Sequence, residues 1–328
     1  MNAVSENKKT QLSRAALVCC RIRASWRSSL LALMAAAGTS SAGFAWRELS
    51  DWRPIVRAGP NYKWNKRKEA SAAPFYRPVF GETLRSESNL FHAADSARAA
   101  KRGLTTLPTA TPELSGLPLP ELLVFNIQIP LVAARLIGRP ALVPSSNIIV
   151  HFRISEEAAA MARSDLRAAP PALQLLIKWC RGAASDDALR SRLKLVCYVD
   201  NLDVVAPSMP AMVKRHNGKP VLITKSGSLF SGSLATAKVA ATAGSECGGD
   251  VAVSSTSAAT GKYIEVDIDT HHWNIVALQV LESWRECSAA IILRAALVIE
   301  ARADDEMPEC VLGTVELTGL DLTRWTPK

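Results

Sequence analysis

Five groups able to bind metal or move protons fall within eight positions of "KYIEVDIDTHHWN" (262–274): Glu265, Asp267, Asp269, His271 and His272. Carboxylates and imidazoles this dense can build a metal site or an acid–base pair. The spacing argues against both. In a strand, Glu265, Asp267 and Asp269 share one face and Ile264, Val266 and Ile268 the other. Same-face carboxylates then stand about 6–7 Å apart, too far to hold one ion unaided. Asp269 or Thr270 suits the N-cap of a following helix, where a side-chain oxygen accepts from orphan amides. His271 and His272 become early helical positions about 100° apart, and a helix N-terminus disfavours imidazolium. The stretch is expected to be a strand running into a capped helix. No catalytic residue, metal or cofactor is assigned to it.

A second group sits in "VRAGPNYKWNKRK" (56–68), where Arg57, Lys63, Lys66, Arg67 and Lys68 alternate with Tyr62 and Trp64. Cations beside interfacial aromatics suit an anionic lipid headgroup layer. Nucleic-acid phosphates with stacked bases are the weaker expectation. The same residues also fit a solvated basic loop packed down by Tyr62 and Trp64. Gly59–Pro60 predicts a defined turn, hence an ordered loop.

Other chemistry finds little support. There is no G-x-S-x-G elbow, and "TGKY" (260–263) lacks the remainder of a phosphate-binding loop. Of the five histidines, His92 and His216 fall in polar stretches expected to be exposed. His151 lies on the less apolar face of an alternating segment, the place of a structural histidine. Seven cysteines, odd in number and without a C-x-x-C, read as reduced thiols.

The elements that must carry these groups follow from hydrophobic period. "ELLVFNIQIP" (121–130), "SNIIVHFRI" (146–154), "LKLVCYVDNLDVV" (193–205), "KPVLIT" (219–224) and "CVLGTVELTGL" (310–320) read as strands. A helical region spans about 156–180, broken at Pro170–Pro171. Trp273, Val276, Val280, Trp284 and Cys287 recur at helical spacing over 273–287. That helix covers the sheet or, in a second reading, lines a cavity for an apolar ligand. Segment 289–300 fits a helix or a buried strand equally. Residues 235–260, rich in Ala, Ser, Thr and Gly, read as a flexible insertion.

Charge is uneven. Residues 1–103 carry 18 Lys and Arg against 7 Asp and Glu, the remainder 21 against 23. The anionic partner implied by the net charge of +9 therefore belongs to the N-terminal third. No apolar run reaches the roughly 18–20 residues of a membrane span. Arg14, Arg21, Arg23 and Arg27 precede "LLALMAAAG" (30–38), so residues 1–45 fit a targeting segment or a disordered tail. The expected location is cytoplasmic and peripheral to membranes, or an organelle addressed through 1–45.

Six stretches in order carry a resemblance: "VRAGPNYKWNKRK" (56–68), "FNIQIP" (125–130), "SSNIIVHF" (145–152), "NGKPVLI" (217–223), "KYIEVDID" (262–269) and "EMPECVLGTVELTGLDL" (306–322). Over roughly 46–325 the chain resembles the C-terminal domain of the plant enhanced disease resistance proteins. It departs from that pattern in the 235–260 insertion and in Thr270, His271 and His272, where the family has small residues. In plant relatives the domain follows a pleckstrin-homology and a START lipid module, neither of which is read in this sequence. The resemblance implies a membrane- or lipid-associated role and no established catalysis.

The expected fold is a single α+β domain over 46–328, a mostly antiparallel sheet covered by helices, with a START-like helix-grip arrangement as a variant. The expected function is a non-enzymatic lipid- or membrane-binding module. Arg57, Tyr62, Lys63, Trp64, Lys66, Arg67 and Lys68 form its headgroup site, and an apolar ligand in a cavity is a further expected partner. The alternative is a hydrolase using the polar face of 262–272.

Overall fold

The computed structural model describes residues 39–40, 43–95, 103–104, 107, 110–132 and 144–323, except 208, 210, 225, 235–260 and 274. The expected insertion at 235–260 and nearly all of the 1–45 segment lie outside the described residues. Thirteen strands are found among the described residues. In chain order they are β1 (Thr39–Ser40), β2 (Phe44–Glu48), β3 (Ile55–Arg57), β4 (Lys68–Ala70), β5 (Tyr76–Ser86), β6 (Leu122–Pro130) and β7 (Ser145–Ile154). They continue with β8 (Leu193–Val199), β9 (Pro220–Leu222), β10 (Gly227–Ser233), β11 (Lys262–Asp269), β12 (Leu293–Ile299) and β13 (Val311–Thr318).

Two sheets use most of them. A six-stranded antiparallel sheet runs β1-β2-β13-β12-β8-β9. A five-stranded sheet runs β10-β11-β6-β7-β5 and is antiparallel except where β11 joins β6 in parallel. The alternation in β7 buries Ile148, Val150, Phe152 and Ile154 in the main core, where they meet Leu195, Leu297, Val315 and Leu317 of the other sheet. Two apolar faces closing on each other remove both from water, which is the driving force of a sandwich. The mixed, antiparallel-dominated α/β content is as expected. The layering is different: the sheets cover each other, and helices fill the margins.

Local rules place those helices. Ser155 caps α1 (Glu156–Arg163), its side chain accepting from the Ala158 amide. Pro171 occupies the first turn of α2 (Pro171–Gly182), whose Leu173, Leu176 and Trp179 enter the main core. After β8 a single turn, α3 (Leu202–Val205), takes the place of the strand expected to run on to residue 205. The helix expected at 273–287 is α4 (Ile275–Trp284), flanked by 3-10 turns at Thr270–His272 and Arg285–Ala290. Segment 289–300 resolves as strand β12.

The helix-grip arrangement has no counterpart among the described residues. The longest helix found there, α2, is 12 residues, and the last element is β13 inside a sheet. Nor does α4 line the space between the sheets. Trp284 packs with Val199, Leu202 and Cys287 beside β8, and the Trp273 indole reaches Ser226 Oγ at 3.4 Å. The cavity between the sheets, lined by Phe125, Phe152, Leu195 and Leu297 among others, holds about 20 Å3. That is on the order of one water-sized probe.

Both faces of the central strands β11, β6 and β7 are buried, which alternation alone does not predict. Ile149 and His151, opposite the core-facing residues of β7, are as buried as they are. A strap at 89–95, together with Leu104, Leu107 and Ala110, closes over this outer face. Burial holds the His151 imidazole down to about 4, so it is neutral.

Candidate functional site

The β3–β4 hairpin lies on the outer face of the six-stranded sheet. Val56, pointing inward from β3, packs with Val196, Ala296, Val298 and Val311. The register Ile55–Ala70, Val56–Glu69 and Arg57–Lys68 leaves a ten-residue connection from Ala58 to Arg67. That connection is closed by backbone bonds: the Ala58 amide donates to the Arg67 carbonyl, and the Lys66 amide to the Tyr62 carbonyl. Between them lies one helical turn (Tyr62–Asn65), entered and left through left-handed residues, Asn61 at φ 63° and Lys66 at φ 53°. Asn65 ties the turn from inside, its amide donating to the Pro60 carbonyl while its Oδ1 accepts from the Arg67 amide. The order expected from Gly59–Pro60 is therefore present, and the Gly59–Pro60 bond is cis.

Glycine at 59 has a packing cause. A Cβ there would stand 2.7 Å from the Cβ of Met307. The first and last of the six sequence landmarks therefore press directly against each other, and charge fastens them. The Arg57 guanidinium meets Glu300 at 2.8 Å and donates to the Ala301 carbonyl at 3.3 Å. Its backbone amide donates to Glu309 Oε2, and the Glu309 amide returns a bond to the Arg57 carbonyl. Glu309 Oε1 accepts from Lys194 Nζ at 2.7 Å and from the Ala301 amide at 3.0 Å. Lys194 and Glu309 are both buried. Burial lowers the Lys194 ammonium against the opposing pull of Glu309. Burial alone would raise Glu300, yet Arg302, Arg57 and Lys194 hold it below the ordinary carboxylate range.

The seven residues expected to form the headgroup site divide into two groups. Arg57 and Tyr62 turn inward: Arg57 into the ion pairs, and Tyr62 against the core beneath the Arg57 guanidinium, 5.0 Å from its ring centroid. Lys63, Trp64, Lys66, Arg67 and Lys68 face solvent. Trp64 is 86% exposed, the most exposed large apolar side chain described. Arg67 pairs loosely with Glu69 at 3.3 Å, and Lys66 lies 5.6 Å from the Tyr62 ring. The arrangement is an ordered cationic turn with an indole at its tip. Sequence reasoning missed its base, Lys194, Glu300 and Glu309. The one signal was Glu309 within the apolar-flanked "EMPEC", whose partners are distant in sequence.

The carboxylates of 262–272 sit elsewhere, on the outer face of the five-stranded sheet beneath the 89–95 strap. Glu265, Asp267 and Asp269 share a face as the pattern predicts, and all three are buried. Glu265 accepts from the consecutive amides of Ala93 and Ala94 at 2.7 and 2.8 Å. Asp269 caps the following turn by accepting from the His271 amide. The two histidines are not splayed apart. His271 Nδ1 reaches Asp269 Oδ1 at 2.6 Å, and His272 Nε2 reaches Asp269 Oδ2 at 3.3 Å. Asp269, the N-cap of the 3-10 turn, offers one oxygen to each ring, so both imidazoles reach a single carboxylate from adjacent positions. His92, expected to be exposed, is half-buried in the strap with its ring 3.8 Å from that of Phe230. Among the described residues no group of three His, Cys, Asp or Glu can hold a metal ion.

Residues 46–321 match the family described as protein ENHANCED DISEASE RESISTANCE 2, C-terminal, and the chain belongs to that family. No curated protein and no solved structure matches it. Among the described residues no helix is long and apolar enough to cross a membrane.

Proposed function

We propose that this member of the family is a non-enzymatic module that docks on anionic membrane surfaces through the 57–68 hairpin. Lys63, Lys66, Arg67 and Lys68 supply the charge, Trp64 seats its indole in the headgroup layer, and Arg57 and Tyr62 hold the turn. The observation that carries this reading is Trp64, an exposed indole on a hydrogen-bonded loop among four solvent-facing cations. An indole in water forgoes the stabilisation of burial, on the order of 2 kcal/mol for a large apolar side chain. An interfacial layer returns it, because the ring is apolar and the N–H stays wet. A surface contact also fits the close-packed core, which leaves no room for a sterol or acyl chain in the cavity described. Burial of Glu265 and Asp267 beneath the strap favours this reading over the hydrolase alternative.

Co-sedimentation with phosphatidylcholine vesicles containing increasing phosphatidylserine or phosphoinositide tests the proposal. Each Lys or Arg near such a surface contributes about 1 kcal/mol. Replacing Lys63, Lys66, Arg67 and Lys68 together by Ala is expected to weaken partitioning by up to roughly a thousandfold. Equal sedimentation of the variant and the parent protein overturns the assignment. Tighter, salt-dependent binding to RNA or DNA than to vesicles replaces it with nucleic acid.

A further inference from the structure

The strap at 89–95 is fastened to the five-stranded sheet by polar side chains that need an explanation. Gln128 pairs its amide with both the N–H and the carbonyl of Leu90, and Asn126 Nδ2 donates to that carbonyl as well. Asn89 donates to Asp269, and Glu265 takes the amides of Ala93 and Ala94. Asp267 sits between them, fully buried, with Oδ1 accepting from Asn126 Nδ2 at 2.9 Å. No donor reaches Asp267 Oδ2 with hydrogen-bond geometry, and none reaches Oδ1 of Asn126, its register partner on β6. Both atoms are acceptors at zero exposure, where an unmet polar group costs about 1–3 kcal/mol.

One proton removes the conflict. A carboxylic acid at Asp267 turns Oδ2 from an unmet acceptor into a donor, on a buried strand face it shares with the Glu265 carboxylate. We propose that Asp267 holds a buried proton, and that this proton is the latch holding the 89–95 strap over the sheet. Loss of the proton to solvent leaves two buried carboxylates on one strand face, with the Ala93 and Ala94 amides of the cover both bound to Glu265. Like charges this deeply buried cannot both be accommodated, so the strap lifts.

Among the described residues, the surroundings supply no fixed cation to replace the proton. The titratable groups on the elements packed around the pair are Tyr263 and Asp269 on β11, His271 and His272 bound to Asp269, and His92 and Asp95 on the strap, with His151 two strands away. Facing strand β10 carries none, and β6 contributes the amides Asn126 and Gln128. Burial first, then the charge of Glu265 and the hydrogen bond with it, push Asp267 up to about 9, against weaker opposing pulls from Asn126 and the His92 amide. The acid form therefore persists through neutral pH, and the latch opens in the alkaline range.

The test uses the full chain. Infrared difference spectra at neutral pH are expected to show the carbonyl band of a protonated carboxylic acid, lost in Asp267→Asn and lost from the parent protein as pH rises. Hydrogen exchange of the Leu90, Ala93 and Ala94 amides, corrected for intrinsic base catalysis, is expected to lose at least tenfold protection in the parent between neutral and alkaline pH. Asp267→Asn, which keeps a permanent donor at that place, is expected to keep its protection. Absence of a protonated carboxyl at neutral pH overturns the proposal. So does equal alkaline opening of both proteins. Should Asp267→Asn fail to fold, the infrared titration of the parent protein alone decides.

Discussion

The 57–68 hairpin and the 89–95 strap are both irregular segments laid on the outer face of a sheet, and opposite electrostatics hold them. Beneath the hairpin, charges come in pairs, with Arg57 on Glu300 and Lys194 on Glu309. The cations left over point outward. Beneath the strap there are carboxylates and amides, and charge is met by backbone N–H groups and by imidazoles on Asp269. A buried acid with a basic partner stays ionised, whereas one without it keeps its proton. The hairpin's hold is thus nearly independent of neutral pH, and the strap's hold depends on it.

Removing Glu309 breaks the first half of this comparison with the largest expected effect. Glu309→Ala strands the buried Lys194 ammonium and frees the Arg57 and Ala301 amides at once. Breaking one partner of a buried pair typically costs about 3–5 kcal/mol. Urea denaturation is expected to show a loss of that order. A loss below about 1 kcal/mol would mean that water reaches Lys194 and that the base of the hairpin is not a sealed ion pair.

Asp267→Asn sharpens the second half. The folded acid is held well above the ordinary carboxyl value of 3.8, so folding takes up a proton between about pH 4 and 9. Below that window the contribution of Asp267 is fully favourable, and it is lost as pH climbs through it. The linkage slope is at most about 1.4 kcal/mol per pH unit for one proton. The parent protein is expected to lose stability on going from pH 6 to 8 more steeply than Asp267→Asn, and the variant to be the more stable protein at pH 8. Parallel stability–pH curves would show that Asp267 is already ionised when folded.

Much of the fold was legible in residue spacing because its signals are local. Period-two alternation marked β7 and β11, paired prolines split the helical stretch at 170–171, and Gly59–Pro60 announced an ordered turn. Contacts distant in sequence were not legible. Nothing in "SNIIVHFRI" reveals that Ile149 lies beneath Leu90, Ala93, Ala94 and Leu104, although a structural histidine was legible at His151. Nothing near Arg57 points to Glu300 or Glu309, more than 240 positions away. The two histidines at 271–272 misled for a different reason. Their directions were inferred from helix geometry alone, which does not show that the capping Asp269 offers a separate oxygen to each ring.

The smallest expected effect on stability belongs to Trp64, and it separates contact from scaffold. A side chain 86% exposed contributes little to folding, and surface substitutions of this kind usually fall within about 0.5 kcal/mol. Trp64→Ala is therefore expected to melt with the parent protein while its partitioning onto anionic vesicles drops several-fold. Its residual binding should remain salt-sensitive, because Lys63, Lys66, Arg67 and Lys68 are untouched. The indole emission of Trp64 in the parent protein should shift to shorter wavelength on vesicles as the ring leaves water. Unchanged partitioning, with emission fixed at its aqueous position, would mean that the hairpin meets the membrane through charge alone. A large fall in melting temperature would instead place the indole among the groups that hold the turn, alongside Arg57 and Tyr62.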